Sequence, residues 1–318
     1  MTEAILRLIS HAAIHIAADS HVFLCVVRNE ILRLPYLLKY YRQLGFDSFI
    51  FIDNNSNDGT REYLLAQRDI YVLHTEARFG DGPGAGVRWK NKVLDQFCCG
   101  RWILCADADE LLIWPGSERE TIRSLSKRMA AEDSEVFFVV MVDMYSDRPF
   151  GRIGYQQGMP FTNSCPYFDG GPYTLMPATP FPYRQIDGGV RARLYKQEGT
   201  PFPAPVMSKV PFLRWKPDQR FIVAQHALQL PGRLASTQGA LLHFKMFDDL
   251  PGKCEIEIQR GEYYAQGREY RVLGEIIQKS PTKSFYDPLI SVRYKDTEQL
   301  RSIGLIGPLL RLPEPAAG

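Results

Sequence analysis

His21-Val22-Phe23-Leu24-Cys25-Val26-Val27-Arg28-Asn29-Glu30 is the stretch from which the rest of the chain can be read. Val22 to Val27 is an unbroken apolar run without alternation, the pattern of a strand buried on both faces. The polar Arg28-Asn29-Glu30 ends it. Leu34, Leu37, Leu38, Tyr41 and Leu44 follow at spacings of three and four, with Gly45 placed as a helix C-cap. The same unit then repeats. A strand over 49–52 runs into Asp53-Asn54-Asn55-Ser56-Asn57-Asp58-Gly59, whose short polar side chains suit a turn and the start of a helix over 60–67. A strand over 70–73, a glycine cluster (Gly80, Gly82, Gly84, Gly86) and a helix over 87–97 come next. The strand over 102–106 ends on Asp107-Ala108-Asp109-Glu110. Strand–helix alternation of this kind predicts an α/β fold with an open, mostly parallel sheet and helices on both faces.

Outward from this core the texture changes. Residues 1–20 alternate apolar and polar positions and read as a frayed amphipathic helix or leading segment, without the apolar centre of a signal peptide. Beyond a helix over 121–131 and a strand over 136–142 ending at Asp143, residues 150–182 are rich in proline, glycine and aromatics. Irregular chain of that length reads as a functional loop. Apolar segments at 184–195, 210–215, 221–227 and 240–247 read as a second lobe, ahead of a charged, helix-rich end.

Composition bounds the function. With 318 residues and 45% hydrophobic content, the chain can bury a large core. Its 38 basic and 36 acidic residues leave a net charge of +2, which argues against a nucleic-acid partner bound by phosphate neutralisation. Six cysteines without a Cys-x-x-Cys pair suit buried small side chains in a reducing cytoplasm. No apolar run reaches the ~18 residues that span a bilayer, so a transmembrane helix is not expected. A cytoplasmic location is expected, with work in solution or as a peripheral protein at the inner face of the membrane.

The chemistry gathers at strand ends, where open α/β sheets bind ligands. Asp107 and Asp109 can both reach a hard divalent cation, Mg²⁺ or Mn²⁺, which completes its shell with phosphate oxygens. Such a cation neutralises charge on a departing diphosphate. Arg28 to Glu30 and Asp53 share that rim. Arg88 and Lys92 lie one helical turn apart, on a face that could meet phosphate. His243 and Lys245, two apart, share one strand face.

The chain resembles the glycosyltransferase family 2-like enzymes, in the branch opening with Arg-Asn-Glu. Val27-Arg28-Asn29-Glu30, Asp53 through Thr60, Gly86 through Asn91 and Trp102 through Leu112 carry the likeness. Asp143 through Ser146, Gly188 through Arg193 and Leu241 through Lys245 extend it, so most of the chain is covered. The resemblance implies a GT-A nucleotide-diphospho-sugar transferase fold and a metal-dependent hexosyltransferase. The donor would be of the UDP or GDP type, and the acceptor a glycan or lipid-linked glycoconjugate of a cell-surface polysaccharide or lipopolysaccharide. It divides the chain into a leader (1–20), a nucleotide-sugar half (21–145), an acceptor half (146–260) and a C-terminal extension (261–318). It places Arg28, Asn29, Glu30, Asp53, Asn55, Asp58, Arg88, Lys92, Asp107 and Lys245 around the nucleotide sugar. Asp107, Asp109 and His243 would hold the Mn²⁺ or Mg²⁺.

An inverting transfer also needs a carboxylate base near the acceptor hydroxyl. Asp187, ahead of Gly188-Gly189, is the first candidate and Asp143 its rival. Arg191 and Arg193 would contact the acceptor or the phosphates. Two other readings use a similar fold: a nucleotidyltransferase of sugar phosphates and a non-catalytic glycan-binding protein. The first usually carries a glycine-rich loop after its first strand, where this chain has Arg28-Asn29-Glu30. A dehydrogenase is excluded because that strand lacks Gly-x-Gly-x-x-Gly.

Overall fold

The computed structural model describes residues 6–81, 86–176, 185–195, 205–230 and 232–309. Met1 to Ile5 of the expected leader, Gly82 and Gly84 of the glycine cluster and 177–182 of the long loop lie outside the described residues. In chain order the first half supplies β1 (Arg7–Leu8), β2 (His21–Val27), α1 (Leu34–Leu44), β3 (Ser48–Asp53), α2 (Thr60–Leu65) and β4 (Ile70–His74). It continues with α3 (Val87–Phe97), β5 (Trp102–Cys105), β6 (Glu110–Ile113), α4 (Ile122–Ala131) and β7 (Val136–Asp143). The second half supplies β8 (Tyr167–Asp169), β9 (Tyr173–Met176), β10 (Gln185–Gly188), α5 (Gly189–Tyr195), β11 (Ser208–Arg214), β12 (Phe221–Val223) and β13 (Ala227–Leu228). It ends with β14 (Thr237–His243), α6 (Leu250–Arg260), α7 (Tyr264–Lys279), β15 (Ser291–Arg293), α8 (Thr297–Ser302) and β16 (Gly307–Pro308).

The protein is a mixed α/β structure built on one ten-stranded sheet in the order β1-β4-β3-β2-β5-β11-β7-β14-β16, with β6 also paired to β14. β2, β3, β4 and β5 are parallel, as are β7 and β14. β11 runs antiparallel between β5 and β7, which leaves those two pointing the same way. Six strands therefore deliver their carboxyl ends to one rim, and β11 starts there. From β2 the chain steps to β3 and β4, then returns to β5 on the other side of β2. The topological switch point lies between β2 and β5, where such sheets bind ligands.

Local sequence accounts for the elements. β2 is buried along almost its whole length, as its apolar run requires. α1 buries Leu34, Leu37, Leu38, Tyr41 and Leu44, carries Pro35 in its first turn, and stops at Gly45 with φ 97°.

Two expectations are corrected. The described part of the leader, 6–20, forms no helix: Arg7–Leu8 pairs antiparallel with His74 and Leu73, and Ile9 N donates to Val72 O at 2.9 Å. A short edge strand shields the outer side of β4. Nor do the apolar segments at 210–215 and 240–247 belong to a second lobe, because β11 and β14 complete the central sheet. Their runs Val210 to Leu213 and Ala240 to Leu242 are as buried as those of the first half. What the second half adds is a smaller apolar cluster, including Tyr145, Val190, Leu250, Tyr270 and Phe285, beside the rim. Among the described residues no helix is long and apolar enough to cross a membrane.

Candidate functional site

The turns leaving β2 and β3 are laced together. Asn29, with φ 55°, donates its N–H to Ser56 Oγ at 3.0 Å, and its side-chain oxygen accepts from Asn57 N at 2.9 Å. Thr60 Oγ1 accepts from Glu30 N at 2.8 Å, while Asp58 accepts from Ile31 N and Thr60 N. Arg28 donates to Asn54 O at 3.0 Å, and the exposed Asn55 accepts from Arg61 at 3.3 Å. Asp53 organises this loop from below. Its carboxylate is 0% exposed and accepts from Ser56 N, Arg61 Nε and His74 Nδ1 at 3.1, 2.7 and 3.0 Å. Burial works against its charge, but those three hydrogen bonds prevail and hold its pKa below the usual carboxylate value. Fully enclosed by these partners, Asp53 fixes the shape of the loop that follows β3.

At the end of β5 the chain turns through Asp107 and Asp109 into β6. Asp107 is 45% exposed, and Lys209 Nζ donates to its Oδ2 at 3.0 Å. Lys90 Nζ stands 3.9 Å from Oδ1. Burial disfavours the Asp107 charge, but Lys209 and Lys90 overcome it and bring its pKa down to about 2. Lys209 also donates to Glu110 Oε1 at 2.5 Å, and Glu110 Oε2 accepts from Asp107 N at 3.0 Å. Glu110 is wholly buried, and that burial raises its pKa.

Asp109 faces His243, the last residue of β14, with Oδ2 3.4 Å from Nε2. His243 Nδ1 donates to Asp143 Oδ1 at 2.5 Å, because a carboxylate can only accept. Arg191 grips the same Asp143 through Nε and Nη2 at 2.7 and 3.0 Å. Burial pulls the His243 pKa down, yet Asp109 and Asp143 outweigh it and raise it to about 9. Burial likewise opposes charge on Asp143, where Arg191 and His243 drive the pKa far below the usual range. Lys245 leaves the strand toward Glu269 at 2.8 Å and stacks over Tyr270. Across the rim, Glu30 accepts from Arg33 and Lys253, and Arg33 is bidentate to Asp249. These bridges tie the α6 start to the exit of β2.

The structure thus joins Glu30, Asp107, Asp109, Asp143 and His243 along one rim but sets other expected residues elsewhere. Arg88 and Lys92 are exposed on α3, and Lys92 lines an apolar hollow with Leu6, Leu8 and Phe97. Lys90, between them, points inward toward Asp107 instead, since two residues along a helix turn the side chain by about 200°. Arg193 is bidentate to Asp169, and Arg191 to Asp143. Asp143, the rival base candidate, is bound on both oxygens by Arg191 and on one by His243. Asp187 sits half-buried on the β9–β10 hairpin, opposite Thr174.

Sequence reasoning missed Lys90, Lys209, Glu110, Arg33 and Asp249. Lys90 interrupts the apolar face of Val87, Val93 and Leu94, and Lys209 interrupts the start of β11. A lysine buried in an apolar run was the available signal.

Asp109 and His243 present an oxygen and a nitrogen side by side, and the second His243 nitrogen is fixed by a carboxylate, as in metal-ligating histidines. Among the described residues no three His, Cys, Asp or Glu side chains group closely enough to hold a metal ion. The expected set of Asp107, Asp109 and His243 is therefore not drawn together as a three-ligand metal site: Asp107 faces Lys209 and Lys90, and Asp109 with His243 offers two ligand atoms.

No family model matches the chain, and no curated protein matches it by sequence. Among solved structures, that of a 4-diphosphocytidyl-2C-methyl-D-erythritol synthase is similar to part of it, at 13% identity and a TM-score of 0.27. The likeness covers 44% of this chain and 66% of that one, just under two thirds of its length. A likeness of that size carries no argument about what this chain binds or does.

Proposed function

We propose that the chain is a glycosyltransferase of GT-A type, which uses Mn²⁺ or Mg²⁺ to transfer a sugar from a UDP- or GDP-type donor to a glycan or lipid-linked acceptor. The observation that carries this reading is the Asp109–His243 pair, 3.4 Å apart at the sheet's ligand-binding rim. The lysine-flanked Asp107 stands beside it. When bound, the cation would offset charge on the departing diphosphate.

Asp109 and His243 Nε2 would hold it, and His243 would give up its Nε2 proton while Nδ1–H stays on Asp143. Arg191 keeps Asp143 charged, and Asp143 keeps the imidazole oriented. The laced loop of Arg28 to Glu30 and Asn54 to Asp58 would border the nucleoside. Asp187 remains the candidate base. The free cysteines, five of the six buried, suit work in a reducing cytoplasm or at the inner membrane face.

Metal-stripped protein incubated with UDP- and GDP-sugars is expected to turn over only when Mn²⁺ or Mg²⁺ is restored, releasing nucleoside diphosphate. Full turnover after EDTA treatment removes the metal from the reading. Release of pyrophosphate from a nucleoside triphosphate and a sugar phosphate identifies a nucleotidyltransferase instead.

A further inference from the structure

We propose that His226, on the turn between β12 and β13, is a specificity-determining residue that accepts a hydrogen bond from a hydroxyl of the sugar being transferred. This rests on the transferase reading above and adds how the sugar itself is recognised. β12 and β13 form a two-stranded hairpin outside the central sheet. Asn91, the neighbour of Lys90 on α3, fixes it by exchanging two hydrogen bonds with Phe221, at 2.9 and 3.0 Å. The connecting Ala224, Gln225 and His226 reach the start of β11. β11 pairs with β5 only from Phe212 onward, because β5 ends at Cys105 and its chain turns away through Asp107. The turn serves the earlier residues instead. Val210 N donates to Gln225 O at 2.8 Å, and Ser208 O accepts from His226 Nδ1 at 2.7 Å. Lys209, between those two residues, reaches Asp107, so His226 stands at the same end of the sheet and feels both charges.

The chemistry of His226 follows from that placement. A carbonyl oxygen only accepts, so Nδ1 carries the proton and Nε2 of the neutral ring is an acceptor. Burial and Lys209 outweigh the Ser208 bond and take the His226 pKa down to about 3, so the ring stays neutral. A bare imidazole nitrogen repels phosphate oxygens but suits an O–H donor, and a sugar ring supplies several. His226 is only half-buried, and Ser208 ties it to the base candidate: Ser208 Oγ accepts from Ile186 N, beside Asp187, at 2.8 Å. The turn is not built for stability alone. Ala224 has φ 43°, and Gln225 is 0% exposed with neither amide atom paired among the described residues. A methionine there would avoid the cost of an unpaired amide. Strain and orphaned polar groups of this kind gather where a site is held in shape for a ligand.

Calorimetry with UDP, GDP and their hexose conjugates in Mg²⁺ buffer, on wild type and His226→Asn, tests this. The asparagine amide keeps a donor for Ser208 O and lacks the Nε2 acceptor. The variant is expected to bind the bare nucleotide as wild type does and the hexose conjugate about 10-fold more weakly. Deoxy analogues of the bound hexose give a readout that a merely structural role would not move. Removing the hydroxyl that meets His226 is expected to weaken binding about 10-fold in wild type and to change nothing in the variant. His226→Phe, which keeps the ring, gives the same comparison if the asparagine variant does not fold. Unchanged affinity for the conjugate, equal weakening of conjugate and bare nucleotide, or deoxy penalties that persist in the variant overturn the role of His226 and leave the transferase reading standing. Wild type that binds no UDP- or GDP-hexose overturns both.

Discussion

Asp109→Asn is expected to leave a folded protein whose sugar transfer falls by about 10²–10³-fold or more, the scale set by removing one charged group from a reacting diphosphate's surroundings. The substitution keeps the side-chain volume and removes one carboxylate charge. The fold should tolerate it because the backbone contact at this position, Phe244 N to Asp109 O at 2.7 Å, does not involve the side chain. His243 retains its bond to Asp143. Donor turnover at saturating Mn²⁺, measured beside a thermal melt, checks both halves. A variant with wild-type melting and near-wild-type turnover shows that Asp109 holds no cation that matters to the reaction.

Arg191→Leu acts on stability instead. Asp143 is almost wholly buried, and Arg191 satisfies both of its oxygens from α5, 48 residues along the chain. Leucine leaves that carboxylate facing an apolar side chain with only His243 for a partner. Breaking a buried pair from one side typically costs about 3–5 kcal/mol, much of it the penalty of the stranded charge. Chemical denaturation at neutral pH should show a loss of that size. A change within about 0.5 kcal/mol, the range of ordinary surface substitutions, contradicts the role given to this pair.

Elements whose signals are local were legible in the sequence. The apolar run of β2, the three–four spacing of α1 with Gly45 at its end, and the strand leading to Asp107 all lie where their residues predict. The rim was legible too, because parallel strands separated by helices must end on one side. What was not legible depends on partners distant in sequence. Arg7 and Leu8 could not announce a strand before β4 was in place beside them. β11 reads as an isolated apolar segment until the sheet leaves a gap between β5 and β7.

The charged residues divide the same way. The strand-end positions of Asp107, Asp109 and His243 could be read from the sequence, whereas their neighbours required the fold. The ion-pair partners of Arg191 and Arg193, Asp143 and Asp169, lie too far off in sequence to be read from it. Arg88 and Lys92 drew attention by their helical spacing, but only packing reveals that the intervening Lys90 is turned inward toward Asp107. Glu110, directly after the motif, had no role to be read because its partner Lys209 lies 99 residues away.

Anomalous diffraction from crystals grown with Mn²⁺ and UDP or GDP locates the cation directly. The expected result is a manganese peak bonded to an Asp109 carboxylate oxygen and to His243 Nε2, with the diphosphate completing its shell and the nucleoside lying toward Arg28 to Glu30. A manganese peak on other carboxylates, or a nucleotide bound away from the carboxyl ends of β2 and β5, contradicts the assignment of this rim as the donor site.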